Sequence, residues 1–142
     1  MMTEGVETSL ASIQVSEDWI LVDTGSTGDL FTTAVLEKHA PSEQILKINP
    51  QSRRRYRYAN NQTEVCESTA TVLTKLGKLD IDVRLGDLHR PSLLGMRTLK
   101  KFRIDLQKLR IEPVSGEGQS MQLHQLHSGH IAVKAEDLFN LS

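Results

Sequence analysis

The most constraining feature of this chain is an apolar run that ends in a carboxylate. Residues 19–22 read Trp-Ile-Leu-Val and lead directly into Asp23, which is followed by Thr24, Gly25 and Ser26. A short, continuous apolar run of this kind is typical of a strand that is covered on both faces. Asp23 is therefore expected at the end of a buried strand, where an ionised carboxylate is costly unless something stabilises it.

Length and composition indicate one ordinary domain. The chain has 142 residues, of which 38% are hydrophobic and 25% charged, and its formal net charge is −1. This small charge provides no general attraction to nucleic acid or anionic lipid. No apolar run approaches the roughly 20 residues that span a bilayer, and residues 1–5 lack the pattern of a secretory signal. Cys66 is the single cysteine, which fits a reducing compartment, so we expect a cytoplasmic protein with no membrane partner.

Short alternating patterns predict a mainly β fold. The clearest is residues 79–85, where four apolar residues alternate strictly with three charged ones, as in a strand with one face in the core and one in water. Turn signals recur about every 8–12 residues. Residues 96–102 alone predict an amphipathic helix, with core-facing apolar residues spaced three apart. Residues 30–38 fit a strand or a short helix, with a strand favoured at their start.

Three parts are expected along the chain. Residues 1–12 are polar and without a pattern, which predicts a flexible lead-in. Residues 13–113 contain the predicted strands and form the domain, beginning with a candidate strand at Ile13 and Val15. Residues 114–142 begin with a Gly- and Ser-rich stretch and continue with scattered apolar residues, and we interpret them as a linker and C-terminal tail.

A carboxylate such as Asp23 becomes useful for hydrolysis if a second carboxylate lies beside it. Two adjacent carboxyl groups cannot both ionise, so they share a proton: one accepts a proton from water while the other donates to a carbonyl. This proton sharing is the established basis of aspartic protease catalysis. The chain contains one Asp-Thr-Gly and no second copy of it, so the second carboxylate would come from another copy across a twofold axis. Gly25 would let the two backbones approach closely, and the hydroxyls of Thr24 and Ser26 would hold the carboxylates coplanar.

Three features lie in a characteristic order along the chain. The first is Val-Asp-Thr-Gly-Ser at 22–26, and the second is Tyr-Arg-Tyr-Ala-Asn-Asn-Gln at 56–62, which reads as a hairpin around its Asn pair. The third is residues 93–102, which open with Leu-Leu-Gly, followed by Ile-Asp-Leu at 104–106. They resemble, in turn, the active-site loop, the flap, and the supporting helix with its following strand in retropepsin-like aspartic proteases. The stretch at 58–62 resembles the proteases of Copia-type retrotransposons in particular.

The resemblance implies a mainly β, single-lobe acid-protease barrel with one short C-terminal helix, acting as a homodimer. It implies an aspartic endopeptidase with no cofactor or metal, whose substrate is a peptide or a retrotransposon polyprotein processed in the cytoplasm or inside retrotransposon particles. Asp29 would lie near the dyad or contact the substrate backbone. The implied site residues are Asp23, Thr24, Gly25 and Ser26 for catalysis, and Tyr58, Ala59, Asn60, Asn61 and Asp29 for substrate binding.

Other interpretations of the same residues stay open. The rival to an enzyme is a catalytically inactive domain of the same fold that serves in dimerisation or peptide binding, with Asp23 as a turn residue that caps backbone amides. The basic and aromatic residues at 53–58 could contact RNA, although the net charge favours a solvated arm of the flap, and we expect no nucleic-acid partner. His124, His127 and His130 are spaced like ligands on one helical face, but no carboxylate or cysteine completes a zinc site.

Overall fold

The computed structural model of the chain describes residues 17–57, 60–84, 90–116 and 118–142. The described residues form β1 (Trp19–Val22), β2 (Leu30–Thr32), β3 (Ile45–Asn49), β4 (Arg54–Arg57), β5 (Thr63–Cys66), β6 (Ser68–Thr74), β7 (Gly77–Arg84), β8 (Ser92–Leu94), β9 (Phe102–Asp105), β10 (Arg110–Pro113), β11 (Met121–Gln122), β12 (His124–Gln125) and β13 (Ile131–Lys134). The helices are α1 (Thr33–His39), α2 (Met96–Leu99) and α3 (Ala135–Phe139), with a short 3-10 helix at Ser42–Gln44. The prediction of a mainly β chain is confirmed. The predicted lead-in at 1–12 and the candidate strand at Ile13 and Val15 lie outside the described residues.

Eight strands form the main sheet, in the order β12-β13-β1-β8-β2-β7-β6-β3. Strand β1 lies between β13, which is antiparallel to it, and β8, which is parallel and places Leu94 opposite Val22. Strand β2 pairs in parallel with β7 and meets β8 where Leu30 lies opposite Leu93. The two sequence stretches that end at Asp23 and Gly95 therefore leave the sheet side by side.

Two smaller sheets complete the described structure. Strands β9, β10 and β11 form one of them, and the hairpin β4–β5 forms the other. The strands that the structure describes do not close into a barrel, so the predicted barrel is wrong. The hairpin itself was predicted, and Asn61 near its tip adopts a positive φ of 66°, as the Asn pair indicated.

The prediction of a single helix is also wrong. Residues 30–38 divide into strand β2 and helix α1, because the hydroxyl of Thr32 accepts a hydrogen bond from the amide of Val35 (3.1 Å) and caps the helix. Helix α2 is shorter than predicted, since Phe102 already begins β9. Leu99 and Phe102 are buried as expected, whereas Met96 is 38% exposed and does not face the core. None of the helices in the described ranges is long and apolar enough to cross a membrane.

Residues 114–142 are not a linker and tail. Strand β13 is an interior strand of the main sheet and pairs with β1, and Leu123 and Leu138 are fully buried. The ring of Phe139 packs edge-on against that of Phe31, with centroids 6.3 Å apart. The apolar residues of this segment show no periodicity in the sequence because they belong to several short elements, each of which adds one or two side chains to the core.

The alternation along β7 predicts only part of its burial. Leu79 and Ile81 are buried and Asp80 is exposed, as expected. Asp82 and Arg84 were predicted to face water, but their exposed fractions are 0% and 4%. The β4–β5 hairpin covers this end of the strand and supplies charged partners for both residues. The prediction of a solvated charged face is therefore wrong for the C-terminal end of β7.

Candidate functional site

Asp23 lies in a tight turn immediately after β1. Its amide donates to the carbonyl oxygen of Leu94 (2.9 Å), which continues the parallel pairing of β1 with β8. Its Oδ1 accepts a hydrogen bond from the amide of Gly25 (2.9 Å), and its carbonyl accepts one from the amide of Ser26 (3.1 Å). Among the described residues, the second oxygen, Oδ2, has no hydrogen-bond partner. The half-buried side chain thus has a defined direction and one unused acceptor.

The loop that carries Asp23 is held by the start of helix α2. The amides of Met96 and Arg97 donate to the carbonyl oxygens of Ser26 (2.8 Å) and Thr27 (3.0 Å). A Cβ at Gly95 would collide with the backbone oxygens of the loop, so only glycine allows this approach. The structure thus brings together the Asp-Thr-Gly-Ser and Leu-Leu-Gly stretches, as the resemblance implied.

The hydroxyl groups of Thr24 and Ser26 do not contact Asp23 within one copy. The Ser26 hydroxyl donates to the carbonyl oxygen of Gly28 (2.8 Å) and so stabilises the loop itself. Thr24 is exposed, and its hydroxyl has no hydrogen bond within the described part of the chain. Their predicted role in holding two carboxylates coplanar therefore requires a second copy.

Asp29 binds the start of helix α2 through hydrogen bonds and is not available to a substrate. Its side chain is fully buried, with Oδ1 accepting from the amide of Gly95 (2.7 Å) and Oδ2 from the hydroxyl of Thr98 (2.5 Å). Burial raises the pKa of this carboxyl group, and the hydrogen bonds from Thr98 and Gly95 act in the opposite direction. The predicted contact of Asp29 with a substrate backbone is therefore wrong, whereas its place near the dyad stays a prediction.

The burial of Asp29 predicts a pH-dependent contribution to stability. Because its pKa is raised in the folded state, the folded chain binds more protons than the unfolded chain just above the ordinary value of 3.8. The contribution of Asp29 to the free energy of unfolding is thus complete below that value and is lost as the pH rises through the raised pKa. Asn does not titrate, so the free energy of unfolding of the parent minus that of Asp29→Asn should fall as the pH rises.

Urea unfolding at several pH values from about 3 to 7 measures this difference. Glu37→Gln, a carboxylate-to-amide change at an exposed position of α1, is the matched control. A difference that stays constant or grows with pH would contradict the account of Asp29.

A second buried carboxylate, Asp82, joins the hairpin to helix α2. The hydroxyl of Tyr56 in β4 donates to Asp82 Oδ2. Arg97 Nη2 lies 3.2 Å from the same oxygen and 3.2 Å from the Tyr56 hydroxyl, and Arg54 Nε lies 3.5 Å from Asp82 Oδ1. We call Arg54, Tyr56, Asp82 and Arg97 the Asp82 cluster. Burial and the neighbouring Asp82 raise the pKa of Tyr56 to about 12, so its hydroxyl keeps its proton and remains a donor.

The Asp82 cluster also contacts the Asp23 loop. A Cβ at Gly28 would collide with the Tyr56 hydroxyl and with the Arg97 guanidinium, so the cluster rests directly on the loop backbone. Sequence reasoning missed the cluster, because its members come from three separate segments. One signal was available in the sequence, namely a tyrosine among arginines on a predicted arm of the flap. An aromatic ring tends to pack against other residues, and the hydroxyl of a buried tyrosine usually has a polar partner.

Glu64 and Arg84 form another buried pair between the hairpin and the main sheet. Both side chains are 4% exposed, and Arg84 Nε donates to Glu64 Oε2 (3.0 Å). Arg84 Nη1 also donates to the carbonyl oxygen of Pro91 (2.7 Å), and Arg90 lies 3.5 Å from Glu64. This pair fixes strand β5, whereas the Asp82 cluster holds strand β4.

The predicted substrate-binding residues of the flap are only partly placed. Tyr58 and Ala59 lie outside the described residues. Asn60 and Asn61 are exposed at the end of the hairpin, where Asn60 Oδ1 accepts from the amide of Gln62 (3.0 Å). The hairpin therefore has the predicted position in the chain order, and Tyr56 links its arm to the Asp23 loop.

The histidines of the C-terminal segment do not lie on one helix, so the helical-face interpretation is wrong. His124 belongs to β12 and packs edge-on against Trp19, with ring centroids 5.1 Å apart. His130 Nδ1 contacts the hydroxyl of Ser128 (2.8 Å). Within the described ranges, no three His, Cys, Asp or Glu side chains are grouped as metal ligands. Burial raises the pKa of the Cys66 thiol to about 12, which suits a small buried apolar side chain and not a nucleophile.

Comparison with known proteins identifies no family for this chain. No protein-family model matches the sequence, and no curated protein matches it significantly. A function therefore has to be argued from the residues and their geometry.

Proposed function

We propose that this chain is a retropepsin-like aspartic endopeptidase that acts as a homodimer, with Asp23 of each copy forming the catalytic dyad. The observation that carries the proposal is the position and orientation of the Asp23 side chain. Asp23 follows an interior strand of the main sheet, and the amides at the start of α2 bind the loop that contains it. Among the described residues, one oxygen of the Asp23 carboxylate has no hydrogen-bond partner. An oriented carboxylate with a free acceptor is what a general base requires.

The requirement for a second copy follows from the other acidic residues near the loop. Asp29 and Asp82 are both fully buried. Asp29 accepts hydrogen bonds from the start of α2, and Asp82 lies among Tyr56 and two arginines. Neither can approach a peptide bond together with Asp23, which supports Asp23 of another copy as the partner carboxylate. A twofold axis beside the loop supplies it without any further sequence.

In the proposed reaction the two carboxyl groups hold a single proton between them. The ionised group takes a proton from water, whose oxygen attacks the carbonyl carbon of the peptide, while the protonated group donates its proton to the carbonyl oxygen. The C–N bond then breaks: the amine nitrogen takes up the proton that water lost, and the diol, as it becomes the new carboxyl group, returns one hydroxyl proton to the dyad, which again holds a single proton. Gly25 permits the close approach of the two loops.

The proposed substrate is an extended peptide segment of a retrotransposon polyprotein. An extended peptide can be bound by strand addition between the Asp23 loop and the hairpin. Asn60 and Asn61 at the end of the hairpin would contact it, together with Tyr58 and Ala59, whose role rests on the resemblance alone. Such processing would take place in the cytoplasm or inside retrotransposon particles.

A second candidate is an inactive domain of the same fold that dimerises or binds peptides. The hydrogen bond from the Gly25 amide to Asp23 favours it, because a turn aspartate without any catalytic role makes the same contact. A bound transition-state inhibitor of the pepsin type separates the two candidates, since its affinity depends on a proton-sharing dyad.

Cleavage of a mixed peptide library near pH 5, measured together with sedimentation, tests the proposal. We expect cleavage, a dimer at high concentration, and a specific activity that rises with protein concentration until the dimer is complete. A dimer that binds the inhibitor weakly and cuts no peptide would support the inactive domain. A chain that remains monomeric at high concentration, cuts nothing and binds no peptide would contradict both candidates.

A further inference from the structure

We propose that the Asp82 cluster positions the β4–β5 hairpin for substrate capture, with Tyr56 as the positioning residue. This proposal rests on the proposed function, since the position of the hairpin affects capture only if a peptide binds at the Asp23 loop. Tyr56 does not touch the reacting atoms in this proposal. It acts by holding strand β4 against the loop and helix that carry the candidate site.

Side-chain contacts matter for the hairpin because, among the described strands, none of the main sheet forms backbone hydrogen bonds with it. Strands β4 and β5 pair with each other and form a separate two-stranded sheet. The cross-strand neighbours Tyr56 and Glu64 share the face of the hairpin that turns towards β7. The position of the hairpin relative to the main sheet is therefore determined by side chains on that one face.

The two attachments of the hairpin are unequal. On the β5 side, Glu64 and Arg84 are both buried and bound through two nitrogens of the guanidinium. On the β4 side, Tyr56 is only half-buried and Arg54 is 44% exposed. Strand β4 is therefore the side from which the hairpin can lift, with the Glu64–Arg84 pair as the fixed edge.

Lifting β4 would remove Tyr56 and Arg54 from Asp82 at the same time. Asp82 is fully buried and would keep Arg97, which belongs to α2 and does not move with the hairpin. Lifting would also expose Asp82 to water, so what the closed hairpin gains is the difference between its charge-assisted contacts with Tyr56 and Arg54 and the water that would replace them, and this difference favours the closed position. Because Tyr56 and Arg97 also rest on Gly28, the closed position is aligned with the Asp23 loop.

Tyr56→Phe tests the proposal, since it removes one hydroxyl and keeps the ring that packs on the loop. A hydrogen bond to a charged group stabilises more than one between neutral groups, so we expect its loss to raise the open-to-closed population ratio by at least about tenfold. Spin labels at Asn60→Cys on the hairpin tip and Glu37→Cys on α1 report that ratio as a distance distribution. Cys66 is 1% exposed and should not react with the label.

The same variant has a kinetic signature in the active dimer. Weaker capture raises KM by the factor by which the closed fraction falls and leaves kcat within about twofold, because the dyad is unchanged. Glu67→Gln is the matched control: it breaks the ion pair of Glu67 with Arg53 in the same hairpin, but both side chains are about 70% exposed, and such pairs contribute little. Arg54→Met, which removes the other β4 contact, should shift the distances in the same direction as Tyr56→Phe.

The outcomes separate this proposal from the proposed function. If the parent cuts peptides but Tyr56→Phe and Arg54→Met keep its distances and its KM, the positioning role is wrong and the enzyme stands. If no variant cuts peptides but the distances lengthen in Tyr56→Phe and Arg54→Met and not in Glu67→Gln, the hairpin contact stands and the endopeptidase does not. A loss of kcat with unchanged distances in Tyr56→Phe would overturn the positioning role as well.

Discussion

Asp23→Asn should abolish peptide cleavage, with kcat lowered by at least about 10³-fold, while the fold and the dimer remain. Asn keeps an oxygen that can accept the hydrogen bond from the Gly25 amide (2.9 Å), so the turn should form as before. The amide cannot take a proton from water and cannot share one with its counterpart. Cleavage of the best library peptide, measured beside sedimentation and thermal unfolding, gives the result.

Mixing the variant with the parent provides a sharper test of the shared dyad. If each site takes one Asp23 from each copy, equal amounts that exchange freely leave about a quarter of the dimers fully active. A monomeric enzyme would keep about half of its activity. Glu37→Gln, an exposed carboxylate-to-amide change on α1, should change neither value. An Asp23→Asn variant that cuts as fast as the parent would show that the proposed mechanism is wrong.

The largest effect on stability is expected from Glu64→Gln, which should lower the free energy of unfolding by about 3 kcal/mol. Glu64 and Arg84 are each 4% exposed, so the substitution leaves a buried guanidinium without its main counter-charge. Arg84 keeps its bond to the carbonyl of Pro91 (2.7 Å), but a neutral carbonyl does not replace a carboxylate. Urea unfolding at neutral pH measures the loss, and the melting temperature should fall by roughly 10 °C.

Two further variants show whether charge is the cause. Glu67→Gln, at an exposed position directly after β5, should cost less than about 1 kcal/mol. Replacing both members of the buried pair, Glu64→Leu with Arg84→Met, should recover much of the loss, because no unpaired charge then remains. A cost below about 0.5 kcal/mol for Glu64→Gln would show that Arg84 finds adequate compensation elsewhere.

Local patterns in the sequence were sufficient for several elements. The apolar run at 19–22 is strand β1, the Asn pair turns a hairpin, and the Leu-Leu-Gly stretch opens helix α2. The pattern that signals each element spans only a few residues, although the burial of β1 and the small volume of Gly95 serve contacts with distant segments, and only the positive φ at Asn61 is a property of the turn itself. The pairing of the Asp23 loop with α2 was expected from the resemblance, and the contacts at Gly95 give its physical reason.

Several of the predictions that failed concern which surface becomes covered. Asp29 was expected to contact substrate and is buried under α2, and Asp82 was expected in water and is buried under the hairpin. A period of two shows which residues share a face of a strand, but not what packs on that face. The same limit applies to residues 114–142, whose few apolar side chains complete the core only because β13 pairs with β1.

By itself the sequence determined a mainly β chain with one Asp-Thr-Gly turn at the end of an apolar strand. That much follows from hydrophobic periodicity and turn chemistry, which act over short distances along the chain. Only the tertiary structure decided which acids are available for chemistry. Burial removes Asp29 and Asp82 from solvent by placing them among donors from other segments, and of the three only Asp23 is not buried.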